Sequence, residues 1–140
     1  MAGNSYATSV GSFEARWSVG AVADVLRAAD RPDDGLPPVA ALIAAAREDT
    51  EIAGFRDELL AAWGRLIVSC ICVVDPGLVL LSGAAAELDT HSFATLDAIV
   101  QAGAPSPTEV RRAELGPDAV LHGAVSAALS AAGLLAPPPA

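Results

Sequence analysis

The chain turns on a break between two apolar runs near its centre. There the apolar run Leu66 to Val74 stops at Asp75, Pro76 and Gly77, and a second run, Leu78 to Leu81, follows at once. The first run falls well short of the roughly 20 residues that a bilayer-crossing helix needs, so no membrane span is expected. It belongs to a longer helical pattern, from about Ile52 to Val74, in which Leu59, Leu60, Trp63, Ile67, Ile71 and Val74 recur at three- and four-residue steps. From Leu66 onward this helix is apolar on all sides, which fits a helix sandwiched between other elements and equally one exposed at an interface. Leu78 to Leu81 has no alternation, the pattern of a strand buried on both faces as in a parallel sheet.

The remaining segments arrange themselves around that centre. Phe13 to Ala29 reads as a first helix carrying Val19, Val22, Val25 and Leu26, and it ends before Pro32 and the turn at Asp33 to Gly35. Pro37 and Pro38 open a second helix with the stripe Val39, Leu42, Ile43 and Ala46, closed by Arg47 to Thr50. After the strand, Ala84 to Ala102 is a weaker helix, Gly103 to Pro107 a loop, and Thr108 to Leu115 a second, more exposed strand. Gly116 and Pro117 turn into a last helix from Asp118 to about Leu135, whose small residues permit close packing. The proline-rich tail, Ala136 to Ala140, is expected to be disordered. About thirty alanines favour the helices. The expected class is therefore a helix-dominated α/β fold with a short parallel strand pair. Two strands make a poor sheet, so the chain reads as part of a larger α/β domain.

Composition sets the outer bounds. The chain has 140 residues, 53% of them apolar, and its mean hydropathy of +0.46 lies far from that of a disordered chain. One domain is expected. The net charge is −9, and the eight basic residues, all arginines, are scattered apart from Arg111 and Arg112, so nothing is clustered to grip a phosphate backbone. The start, MAGNSYATSV, has neither a basic leader nor an apolar core, which gives a cytoplasmic, reducing location as the expectation. Cys70 and Cys72 are then free thiols. Two residues apart on a helix they point about 200° from each other, which suits packing and neither a shared metal nor a disulfide.

Three stretches together resemble the C-terminal part of the ROK (repressor, ORF, kinase) family of sugar kinases and sugar-responsive transcriptional regulators. Gly11, Ser12, Phe13, Glu14 and Ala15 are similar to the end of the family's zinc motif. DPGLVLLSG, at Asp75 to Gly83, resembles its helix, Asp-Pro turn and strand leading to a nucleotide loop. ELGPDAVLHGAVSAAL, at Glu114 to Leu129, is similar to its closing turn and helix. The resemblance implies residues 1–135 as one C-terminal lobe of an actin-like, ribonuclease-H-like pair, with residues 136–140 as the tail. Family members are over twice this length, so the catalytic aspartate, most sugar contacts and, in repressors, a winged helix would lie upstream.

The resemblance also implies roles and departures. Glu14 stands where the family binds sugar hydroxyls, Gly83 in its nucleotide loop, and Gly123 beside the adenine. The family's zinc cysteines fall on Ser5, Ala7 and Ser12, which supply no thiolate, so no metal site is expected. The nucleotide loop keeps one glycine in Ser82, Gly83, Ala84. Read without the family, Glu14 is a first-turn glutamate favoured by the helix dipole, and Gly83 a strand terminator. His91 and His122 stand alone, Trp17 and Trp63 are core or interface anchors, and Glu48, Asp49 and Glu51 form a solvated helix end. No catalytic motif stands out. The leading expectation is the effector-sensing and oligomerisation lobe of a ROK-type regulator: homo-oligomeric, without a cofactor, with a sugar effector and no DNA contact of its own. The alternatives are the nucleotide-side lobe of an ATP-dependent hexose kinase and an isolated helical interaction module.

Overall fold

In the computed structural model, which describes residues 13–31, 34–114 and 119–134, the first full helix begins at a serine. Phe13 to Ala29 does not form one continuous helix. Ser18 takes an extended backbone and its Oγ accepts from the Ala21 N–H at 3.2 Å, which starts α1 at Val19–Ala28 and leaves residues 13–17 as a separate helical turn. α1 closes through Asp30 at φ 52°, with the Arg31 N–H donating to the Leu26 carbonyl at 2.9 Å. α2, Pro38–Ala45, starts on prolines whose missing N–H groups cost nothing there. It buries the expected stripe of Val39, Leu42 and Ile43, with Ala46 just beyond it.

α3, Thr50–Val74, is capped by Asp49, which accepts from the N–H groups of Glu51 and Ile52 at 2.9 and 3.2 Å, and it spans about 37 Å. Its start lies two residues ahead of Ile52 because Asp49 is the better cap. It stops where the sequence marks the stop: Asp75 enters the left-handed region at φ 48°, and Pro76 cannot continue a helix.

β1, Leu78–Leu81, pairs in parallel with β2, Glu109–Arg112, in the register Leu78 opposite Glu109 through Leu81 opposite Arg112. β2 is shorter than the Thr108 to Leu115 expected. The buried Thr108 is tied in just before it, donating from Oγ1 to the Pro76 carbonyl at 3.2 Å and accepting at its own carbonyl from Gln101 Nε2 at 2.8 Å. The connection between the strands is not the single helix Ala84 to Ala102. It divides into a 3-10 turn, Gly83–Glu87, and α4, Thr90–Gly103, because the Asp89 carboxylate accepts from the Ser92 N–H at 2.8 Å and starts a new helix.

Two clusters hold these elements. Val22, Leu26, Leu42, Ile52 and Leu59 join α1, α2 and the first half of α3. Leu60, Ile71, Leu81, Leu96, Val100 and Val110 join the rest of α3 to the sheet and α4. β1 is not buried on both faces. Leu81 is covered and Val79 partly so, whereas Leu78 and Leu80 are 43% and 58% exposed. The last helix, α5, Ala119–Ala131, does not pack closely: its residues from Val120 onward are all exposed. The architecture is thus helix-dominated α/β with a two-stranded parallel sheet among the described residues, and none of their helices is long and apolar enough to cross a membrane. Ser5, Ala7, Gly11 and Ser12, the turn Leu115 to Asp118 and the tail Ala136 to Ala140 lie outside the described residues.

Candidate functional site

Ligands in open α/β sheets collect outside the carboxyl ends of the parallel strands. Here that edge carries Ser82 and Gly83 after β1, and Arg112 at the end of β2. Gly83 opens the 3-10 turn at φ 58°, and a Cβ built on it meets nothing within 4 Å. Backbone conformation, not the approach of another group, is what asks for glycine at this position.

The same turn ends in Glu87, whose carboxylate accepts from the Val39 N–H at the start of α2. Pro37 has no side chain able to cap that helix, so a distant glutamate satisfies one of its orphan donors. Burial pushes the Glu87 carboxyl above the ordinary glutamate value, with the Val39 hydrogen bond opposing it, and Oε2 is shut off from solvent without a partner. Arg112 Nη2 donates to the Asp89 carbonyl at 3.0 Å while its guanidinium lies 4.5 Å over the Phe93 ring, and its Nε is likewise buried and unpartnered. The Asp89 carboxyl sits below its usual range, chiefly through the Ser92 N–H and less through Arg47, which pairs with it at 3.3 Å.

These four side chains knit α2, the 3-10 turn, α4 and β2 into one polar corner. It offers a carboxyl that keeps its proton to higher pH than usual and a guanidinium held in place by stacking. Sequence reasoning missed both Glu87 and Arg112. The signal available was a Pro-Pro helix start, which leaves donors that another segment must meet.

The three residues marked by the family resemblance fall into different surroundings. Gly83 is at the strand edge just described. Glu14 is exposed on the helical turn of residues 13–17, which packs on the far half of α3 through the Arg16–Glu58 pair at 3.0 Å and the Trp17–Phe55 stack at 5.6 Å. Gly123 is on α5, with open space around it. None of the three lines the hollows of about 350, 470 and 260 Å³ found along the helices. His91, His122, Cys70 and Cys72 are all exposed, so the two cysteines are not packing residues. Among the described residues no group of three or more His, Cys, Asp or Glu side chains is placed to hold a metal ion.

The second notable surface is apolar. Val73 and Val74, 85% and 72% exposed, flank the Asp75 turn, and beyond it Leu78 and Leu80 stand on the uncovered face of the sheet. Ile71 and Ile67, on the same helix, belong to the chain's own core and its margin. Comparison of the chain with family models, with curated proteins and with solved structures returns no match.

Proposed function

We propose that this chain is the assembly lobe of a ROK-like, sugar-responsive regulator, a partial actin-like, ribonuclease-H-like lobe that self-associates and contributes Glu14 to effector sensing. The observation that carries the reading is the bare apolar surface at the centre of the chain, Val73, Val74, Leu78 and Leu80, on a sheet with only two strands among the described residues. Area of that kind is usually removed from water by pairing, most often about a two-fold axis. The surface suits a chain of net charge −9, because α3 from Leu66 to Val74 and β1 carry no formal charge, and the Asp75 carboxylate between them accepts from the Ser106 hydroxyl. The order of long helix, Asp-Pro turn, strand and Gly83 accords with the family's arrangement, and DNA contact in such a regulator falls to a winged helix outside this lobe. The kinase alternative draws no support from Gly83, whose glycine answers to backbone conformation.

Sedimentation velocity across micromolar concentrations tests the reading, with a dimer expected. Val73→Glu is the decisive variant. At 85% exposure it leaves the folded monomer intact, yet in an interface it would bury an unpaired charge at a cost of several kcal/mol. Ile71→Glu would not serve, since Ile71 is fully buried and the variant would unfold. A wild-type chain that sediments as a compact monomer throughout overturns the proposal.

A further inference from the structure

We infer that the groove between residues 13–17 and the middle of α3 binds a small organic acid with a flat apolar body. The groove is shallow and open, is lined by Phe13, Trp17, Ala62, Arg65, Leu66 and Ser69, and has a volume of about 260 Å³. Its one charged member is Arg65, and that arginine is the exception in this chain. Arg16, Arg27, Arg31, Arg47, Arg56 and Arg111 each pair with a carboxylate, and Arg112 is spent on the Asp89 carbonyl and the Phe93 ring. The Arg65 guanidinium makes no hydrogen bond or ion pair among the described residues, in a sequence with 17 acidic side chains.

The chemistry of the lining selects the ligand. No acidic residue lines the groove, and the Ser69 hydroxyl is committed as a donor to the Arg65 carbonyl at 2.8 Å, so the guanidinium is the group left to meet an incoming charge. A guanidinium matches a carboxylate with two parallel N–H donors, a geometry that an ammonium cannot copy. Phe13, Leu66 and Ala62 supply the apolar part. Trp17 is held in place beforehand by Phe55 at 5.6 Å and by Arg16 at 4.8 Å over its ring, so little ordering is left for binding to impose. The volume is below the roughly 300 to 1,000 Å³ of drug-sized sites, which points to an aryl-alkyl acid of fragment size. The site does not depend on assembly, because Arg65 lies about 12 Å back along the helix from Val73.

The test uses the full chain and 4-phenylbutyrate, with 4-phenylbutylamine and 4-phenylbutanamide as its cationic and neutral counterparts. Titrations are followed by the Trp17 indole N–H signal in ¹⁵N NMR. A fragment of this size should bind with a dissociation constant of about 1 mM. The acid should shift the Trp17 signal saturably and the amine should not, with the amide at least tenfold weaker than the acid. R65Q should lose at least tenfold in affinity and R65K should fall between, while R27Q, which removes an exposed arginine elsewhere, should titrate like the wild type. Arg65 is exposed and unpaired, so R65Q should keep the wild-type melting temperature. Equal affinity for acid and amide, or an R65Q variant that binds as well as the wild type, overturns the inference.

Discussion

Gly64 is where α3 and α4 come closest, and replacing it with alanine sets two opposed effects against each other. Gly64 is buried in the most extensive helix–helix contact among the described residues. A Cβ there would stand 2.5 Å from Ile99 Cγ2, 3.2 Å from Ile99 Cβ and 3.6 Å from Leu96 Cδ1. A rotamer change cannot clear this, because Ile99 is stiff at χ1 in a helix and its Cβ, which moves only with the backbone, is itself too near. The helices must separate, at an overpacking cost of about 1–3 kcal/mol. Against it stands the gain in helix propensity from glycine to alanine, about 1 kcal/mol.

Gly54 isolates the second effect. It lies on the same helix, exposed, with nothing within 4 Å of a built Cβ, so Gly54→Ala should stabilise by nearly the full propensity gain. The propensity term cancels between the two variants, so their difference measures the overpacking alone. Taking it as about 2 kcal/mol and a urea slope of about 2 kcal/mol per molar, the midpoints should lie about 1 M apart, with Gly64→Ala the lower. Circular dichroism at a fixed chain concentration reads both. Removing the obstructing methyl with Ile99→Ala should make the double variant more stable than the sum of the single effects, by about 1 kcal/mol or more. If Gly64→Ala gains as much as Gly54→Ala, the close crossing of α3 and α4 is wrong.

Three further outcomes are expected. Burial holds the folded-state value of Glu87 above its unfolded one, so its contribution to stability is whole below the ordinary glutamate range and is lost as pH rises through the raised value. Glu87→Gln should flatten that stretch of the stability curve in urea midpoints taken from about pH 4 to about pH 7, and an unchanged slope would count against the burial. Gly83→Ala should cost about 1–2 kcal/mol by forcing a side chain into the left-handed region, and Gly83→Asn distinctly less. A thermal melt in which the alanine variant matches the wild type would refute the turn. Cys70 and Cys72 should both react with a thiol reagent in the monomeric Val73→Glu variant, without denaturant, whereas slow or single labelling there would place them in the core.

The elements that the sequence foretold are those whose stop signals are local. Pro37 and Pro38, the stripe Val39, Leu42 and Ile43, the halt at Asp75 and the span Leu78–Leu81 all need only neighbouring residues to be read. Where the reading failed, a single polar side chain won over a helical pattern: Ser18 and Asp89 each offered a cap that the surrounding alanines could not match. The candidate site was harder. Glu87 lies in an unremarkable run of alanines, and its burial exists only because α2 brings an uncapped N-terminus to it from a distant part of the chain. The exposure of Leu80 was hidden for a different reason. A run of four apolar residues has no period, so one covered face and two look alike until the register sets Leu80 beside Arg111.

That register also separates the two free edges of the sheet. β2 carries Glu109, Arg111 and Arg112, with Arg111 and Glu109 joined at 2.6 Å, and charged side chains on an edge oppose the addition of another strand. β1 carries Leu-Val-Leu-Leu with no charge, no proline and no bulge, which are the usual means of blunting an edge. Among the described residues its outer side has no partner. Among the described residues one edge is therefore protected and the other is open, on the strand whose outer face is also bare at Leu78 and Leu80. A two-stranded sheet meant to stay as it is would protect both edges, so the asymmetry places any continuation of this sheet on the β1 side.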